Sequence, residues 1–300
     1  MKNILSRRFH EKLAETLLFI VSFLSAILFL MPTVLTITNS FMTETEITTN
    51  YGAMISNASS DKKAYIAKEL NLKFIPDKVS FQQYSAVLFK NPDYLLKFWN
   101  SVILVVPITI FQILLASVTA YGFSRYRGKI REIIFFAYMI LMLMPYQVTL
   151  VPNYLVSEWL GILGTRWSIV LPAIFSPFSV YLLTKIMRRI PKAYFEAAQL
   201  DGAGEFEIFW HICLPLCRSA MLSVGLLVFI DYWNMVEQPL ILLKNEDMYP
   251  LSVFLSQINS GDVGLAFAVA VVYMIPALLL FLYGEEYLVE GITYSGGVKG

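Results

Sequence analysis

Glu196, Asp201, Glu205 and Glu207 lie close together in the chain, interleaved with Ala197, Ala198, Gly202, Ala203 and Gly204. The chemistry of such a set is recognition. Ionised carboxylates accept charge-assisted hydrogen bonds from arginine side chains, and alanine and glycine let a second backbone come close. Pro191, after the basic run Arg188-Arg189, is a helix-start signal, so a short helix is expected over 193–200. Asp201-Gly202 marks a turn, because glycine adopts positive φ without steric cost. A second short helix is expected from about Gly204 to Cys213, stopping before Pro215. Phe195, Phe206 and Phe209 are placed to anchor this elbow in a hydrophobic notch or onto its own helices. A bare connection between helices needs only a few residues, and this one uses about 25. The excess points to docking of a partner.

A second set of polar residues interrupts apolar runs. Pro145 and Pro152 flank Tyr146, Gln147 and Thr149, with Asn153 and Tyr154 following. Prolines bend helices and free carbonyls. In a membrane such breaks are tolerated against protein or a water-filled path. These residues read either as the lining of a pathway or as polar packing between helices. Asp231 and Glu237, with Trp233 and Asn234 between them, are the exceptional acidic groups within the spans and are functional candidates on that ground. They read as a polar vestibule or a partner-facing patch.

Other chemistry is missing. The sequence has no phosphate-cradling Gly-x-x-x-x-Gly-Lys-Ser/Thr loop, no His-Glu-x-x-His and no Gly-x-Ser-x-Gly. Its two histidines, His10 and His211, stand far apart and argue against a metal centre, and it has no mid-membrane acid or histidine relay for coupled protons. Cys213 and Cys217 share one helical face and read as reduced, apolar packing residues. The chain is a conduit whose energy arrives from elsewhere.

The elements that must position these groups follow from composition. The 300 residues are 57% hydrophobic and only 15% charged, with mean hydropathy +0.62. That is an all-α polytopic membrane protein. The net charge of +1 and the scattered cations give no nucleic-acid groove. A spanning helix needs about 20 apolar residues, and six segments qualify: 15–37, 100–123, 133–156, 167–186, 216–240 and 262–284. Arg125, Arg127, Lys129 and Arg131 follow the second segment, and Lys185, Arg188, Arg189 and Lys192 follow the fourth. The positive-inside rule puts both loops in the cytoplasm. The elbow, 188–215, and both termini then lie on that side. The expected layout is a cytoplasmic N-terminus 1–14, a first span 15–37 and a long outer loop 38–99. A core over 100–284 and a cytoplasmic tail 285–300 complete it. Within the outer loop, Lys62 to Leu72 reads as a surface helix. The loop serves either as a cap or partner contact at the outer mouth, or as a solvated excursion.

Glu196-Ala-Ala, three residues, Gly202, nine residues and Ile212-x-Leu214-Pro215 together match the EAA motif. On it the chain resembles bacterial ABC importer permeases of the binding-protein-dependent type. Ala120-Tyr-Gly-Phe-Ser-Arg125-Tyr-Arg127-Gly128, Trp233-Asn234 with Pro239-Leu-Ile-Leu-Leu243, and the tail from Gly291 to Gly300 are similar to the carbohydrate-uptake branch, specifically its maltose-type second permease subunit. The resemblance covers about residues 100–300. It implies a second, homologous permease, two ATPase subunits carrying ATP-Mg, and an extracytoplasmic solute-binding protein, all at a bacterial inner membrane. No cofactor is implied on this chain. The elbow becomes a coupling helix seated in an ATPase groove through Glu196, Ala197, Ala198, Asp201, Gly202, Ala203, Phe206, Leu214 and Pro215. The tail, with Gly297 and Lys299, inserts between the ATPases. A sugar would meet aromatic and amide side chains such as Tyr146, Gln147, Asn153, Tyr154, Trp233 and Asn234, or the partner permease would hold it. Glycerol-phosphate as solute, a self-sufficient secondary transporter and a membrane scaffold are the alternatives.

Overall fold

The computed structural model describes residues 2–58, 73–126, 128–257 and 263–296. Every regular element among them is helical. They fall into two compact units: Met1–Pro92 with Ile258–Val272, and Asp93–Gln257 with Tyr273–Gly300.

The first unit opens with α1 (Lys2–Asn39), which carries the basic N-terminal residues straight into the first apolar run. Its spanning part, Lys12–Asn39, has none of its most apolar window buried within the chain. After a tight turn comes α2 (Glu44–Ala58). The segment after α1 has a small core of its own, built from Met42, Ile47 and Tyr51 with Phe267 packed against it. Polar bonds fasten this core. Asn39 Nδ2 donates to the Tyr51 hydroxyl (2.9 Å), Ser40 Oγ pairs with the Tyr84 hydroxyl (2.6 Å), and Gln83 Nε2 donates to the Met42 carbonyl (2.5 Å). Lys73 pairs with both Asp77 and Glu46, whose carboxylates hold it above the ordinary lysine value. The helix expected over Lys62 to Leu72 lies outside the described residues.

The second unit holds α3 (Pro92–Arg125), α4 (Lys129–Met142), α5 (Tyr146–Trp159), α6 (Trp167–Ile174) and α7 (Pro177–Met187). It continues with α8 (Lys192–Leu200), α9 (Glu205–Leu216), α10 (Arg218–Trp233), α11 (Glu237–Leu242), α12 (Leu251–Ser256) and the later part of α13 (Val263–Gly296). Among the described residues four helices are long and apolar enough to cross a membrane, or up to six if each of two bent pairs is one span.

The breaks differ from the sequence expectation in informative ways. The expected single segment 133–156 is two helices, α4 and α5, at 103°. Pro145 makes that break: it caps α5 in an extended conformation (ψ 138°), and the residue before a proline is steered out of the helical region. Pro152 sits inside α5 without ending it. The expected segment 167–186 is also divided, at Phe175 and Ser176. Ser176 is extended before Pro177 (φ −109°, ψ 113°) and its side chain accepts the Ser179 N–H. Pro177 then starts α7 as a first-turn proline. The expected segment 216–240 ends at Trp233, and Glu237–Leu242 is separate. The helix of the last span runs on to Gly296 through the stretch read as a tail.

The core of this unit is a stack of helix faces. Leu104, Val105, Ile108, Ala116 and Ala120 of α3 meet Leu183 and Met187 of α7 and Val224 of α10. Trp233 closes one end, 1% exposed. It stacks on Phe229 and Tyr273 with centroids 5.2 and 5.6 Å away, and Phe98 meets it edge-on at 5.9 Å. Its Nε1–H donates to the Tyr273 carbonyl at 3.0 Å, and the Tyr273 hydroxyl donates back to the Trp233 carbonyl at 2.7 Å. Trp233→Ala is expected to cost about 3–5 kcal/mol. Trp233→Phe, which keeps the stack and drops the Nε1 bond, is expected to cost about 1 kcal/mol. Thermal melts of the purified protein in detergent check the order.

Candidate functional site

The elbow forms as a capped turn between two short helices. α8 ends in a Schellman arrangement: Gly202 is left-handed (φ +84°), its N–H reaches the Gln199 carbonyl at 3.0 Å, and the Ala203 N–H reaches the Ala198 carbonyl at 3.0 Å. α9 then starts at Glu205, and the Glu207 carboxylate turns back to accept the Gly204 N–H at 3.0 Å. The second helix does not stop before Pro215 as expected. It passes through a π turn, Phe209–Cys213, includes Pro215, and breaks at Cys217 with a 74° bend into α10. The widened turn accommodates a position where proline offers no N–H.

The elbow is fastened to the end of α3. Glu205 Oε2 accepts from the Tyr121 hydroxyl at 2.6 Å and lies 3.7 Å from Arg125 Nε. Glu205 Oε1 accepts from Gln199 Nε2 at 3.2 Å. The Arg125 guanidinium lies over the Phe195 ring, 4.8 Å from its centroid, and the Tyr121 and Phe209 rings are 5.1 Å apart. Arg188 at the end of α7 donates to Glu132 (3.0 Å) and to the Phe123 carbonyl (3.2 Å). Two of the four clustered acids therefore hold the elbow itself: Glu205 through Tyr121 and Arg125, Glu207 through its cap. Sequence reasoning missed the anchoring role of Glu205, because Tyr121 and Arg125 stand more than 75 positions earlier and only the fold brings them to it.

What remains outward is compact. Glu196, Ala197, Asp201 and Gly202 are exposed, Ala203 and Leu214 are half-buried, Pro215 is exposed, and Ala198 is buried in the elbow's own packing. Phe206 is 74% exposed and stacks on Trp210 at 6.3 Å; Leu200, at the end of α8, is 89% exposed. Nothing lies within 4 Å of where a Cβ at Gly202 would stand. The result is a knob with three exposed carboxylates, one of them the Glu207 cap, bare backbone and large apolar side chains. Large apolar groups rimmed by polar ones mark a binding surface.

A cleft of about 460 Å³ lies in the angle between α4 and α5 and reaches α6 and α7. Tyr146 and Asn153 line it, beside Thr149, Ser168, Ser176 and Gln238. Of the other pathway candidates, Gln147 is exposed away from its walls, Tyr154 packs against the core, and Trp233 is the buried strut described above. Asp231 is exposed. Asn234 is tied at the end of α10, donating to the Ile230 carbonyl at 2.8 Å and accepting from the Tyr273 hydroxyl at 2.9 Å. The cleft therefore gathers two of the seven residues named from sequence. Ser168, Ser176 and Gln238 were missed because they lie on other helices.

A family model matches residues 84–293. The chain belongs to the binding-protein-dependent transport system inner membrane components. It is 30% identical over 234 residues to the arabinooligosaccharides transport system permease protein AraQ of Bacillus subtilis, covering 77% of this chain and 83% of that one. The lactose transport system permease protein LacG of Rhizobium radiobacter is 29% identical, covering 71% and 79%. The fold is that of a chain in a bacterial ABC transporter involved in the import of the acidic polysaccharide alginate, with a TM-score of 0.74 at 20% identity, covering 92% and 96%. This membership makes the protein a membrane-embedded permease component.

The anchoring of the elbow is directly testable. Glu205→Ala leaves the Tyr121 hydroxyl and Arg125 without their shared carboxylate and is expected to cost about 1–3 kcal/mol. Glu196→Ala, on the outward face, is expected to stay within about 0.5 kcal/mol. Melting temperatures, with the rate of tryptic cleavage around Arg188 to Lys192, check the contrast.

Proposed function

We propose that this chain is one of two homologous permeases in an ATP-driven importer for a sugar or oligosaccharide. A solute-binding protein delivers the solute from outside. Two ATPase subunits, carrying ATP-Mg, sit at the cytoplasmic face of the bacterial inner membrane, where both termini of this chain also lie. The elbow couples the two: Glu196, Ala197, Ala198, Asp201, Gly202, Ala203, Phe206, Leu214 and Pro215 form or shape the face that seats in an ATPase groove. The tail carrying Gly297 and Lys299, outside the described residues, is a further ATPase contact.

The observation that carries this reading is the outward knob around Gly202, held stiffly by the Glu205 anchor and presented in a family of transport components. A rigid lever is what mechanical coupling requires: a movement of the seated tip must reach the spans undamped. Glu205 ties the tip to α3, and the continuous path through α9 ties it to α10. The sugar assignment is supported by relatives named for arabinooligosaccharides and lactose and by the aromatic and amide groups of the cleft, Tyr146, Asn153 and Gln238. The polar side chains of that cleft suit passing contacts with hydroxyls.

Tagged protein expressed in its own host is expected to copurify with a second permease and two ATPase subunits. Gly202→Asp keeps its fold, since space is open and the strain of a non-glycine residue at this φ is about 1–2 kcal/mol. It is expected to insert normally, yet lose at least tenfold in ATPase copurification and in uptake of labelled arabinan oligosaccharides or lactose, whichever the wild type imports. Wild-type uptake by Gly202→Asp removes the coupling role.

A further inference from the structure

The break between α6 and α7 stands in the middle of a span, and the cleft does not end there. The span Trp167–Met187 has 21 residues, and Phe175 and Ser176 are its ninth and tenth. At 1.5 Å per residue they sit roughly 13 Å below the Trp167 end. The 460 Å³ cleft approaches from the α5 side, and a second cleft of about 280 Å³ continues toward α3. Both are lined by Leu141, Phe175, Ser176 and Pro177. The second cleft shares Thr119 with a third, of about 350 Å³, walled by Phe123, Tyr126 and Arg131. Tyr126 directly follows α3, and Arg131 stands in the first turn of α4. The three clefts are neighbours: the first and second share four lining residues, and the second and third share Thr119.

The first junction has a specific polar wiring. Gln112 is 1% exposed in mid-α3, and its Nε2 donates to Ser179 Oγ at 2.7 Å. Ser179 Oγ donates to Ser176 Oγ at 3.4 Å, and the Ser179 N–H is directed at the same oxygen at 3.4 Å. Ser176 thus receives two donors, and among the described residues its own hydroxyl proton is not given to another group. The donor direction runs outward from the buried amide and ends on a hydroxyl that faces both clefts. Phe175 beside it is 67% exposed. Pro177 has no N–H, so the Ala173 carbonyl lacks its helical partner and the backbone adds an acceptor at the same level.

Lipid does not suit this surface. Free backbone groups at mid-depth are tolerated only against protein or water. Elsewhere on the same unit, Ile110, Ile113, Leu222 and Leu226 line an apolar groove of about 310 Å³ with no break in its helices, which is how a lipid-facing groove looks. We infer that the solute crosses this chain along the three clefts in series and that Phe175-Ser176-Pro177 is the constriction between the first and second. Ser176 offers a hydrogen bond and Phe175 an apolar face to each hydroxyl-rich unit as it passes. This rests on the proposed transport function and places its narrow point.

Cysteine accessibility in membranes containing the complete assembly tests it. In a Cys213→Ala, Cys217→Ala background, Ser176→Cys, Asn153→Cys and Ile110→Cys are treated with a charged, membrane-impermeant methanethiosulfonate and, separately, with a lipid-soluble maleimide. Labelling rates are read by mass spectrometry, with and without ATP and vanadate. The charged reagent is expected to label Ser176→Cys and Asn153→Cys at least tenfold faster than Ile110→Cys, and the Ser176→Cys rate is expected to change at least threefold on vanadate trapping. The maleimide is expected to label Ile110→Cys. If Asn153→Cys reacts with the charged reagent and Ser176→Cys does not, in either state, the constriction is overturned while the transport reading stands. If neither reacts, the path does not run over this face. If Ser176→Cys reacts only with the maleimide, the break faces lipid and the inference fails.

Discussion

A polypeptide in a hydrocarbon layer must pair its own backbone N–H and C=O groups, and this chain repeatedly departs from the unbroken helix that would do so. Pro145 separates α4 from α5 at 103°, Ser176-Pro177 separates α6 from α7, and the path from α9 into α10 bends by 74° at Cys217. Each break needs other partners for the groups it frees. Ser176 and Ser179 supply some at the second, and the π turn before Pro215 absorbs the third. The 460 and 280 Å³ clefts gather around the first two breaks, and the elbow ends at the third. Along mid-α3, where the backbone is continuous, the space that is left is an apolar groove; at the first two breaks it is lined by polar groups.

The elbow shows how a recognition surface is made stiff with few residues. Its four acids have two different roles. Glu205, half-buried, anchors, and Glu207, itself exposed, caps the second helix, while Glu196 and Asp201 are exposed on the tip. The Glu205 anchor involves charge, an aromatic hydroxyl and a guanidinium stacked on Phe195. Partly buried, such bonds exceed an exposed pair in strength. A tip held this way transmits displacement to α3 and α10. An arrangement tethered only by its two chain ends would absorb it.

Much of this was legible in the residues. The apolar runs, the basic turns and the Asp201-Gly202 turn follow from local rules, and the positive φ at Gly202 and the Pro191 start agree with them. Element ends were less legible. Ser176-Pro177 is a local break signal, but it sat inside a run apolar enough to pass as one span. Pro152, by contrast, was read as a break and lies within α5. A proline's effect depends on whether neighbouring helices and turns can re-pair the freed carbonyl, which is a tertiary matter.

The sequence by itself determined the class: spans long enough for a membrane, a sidedness expected from arginine and lysine, and an elbow whose spacing needs no fold to be read. Each is a property of neighbours along the chain, governed by hydropathy, charge and φ preference. Only the tertiary structure decided which polar residues share a space. It placed Tyr146 and Asn153 with Ser168, Ser176 and Gln238, and turned Trp233 inward as a strut. It also gave Glu205 to Tyr121. A side chain's environment depends on the rotation of its helix against others, and that rotation is fixed by packing across distant segments, to which no local pattern gives access.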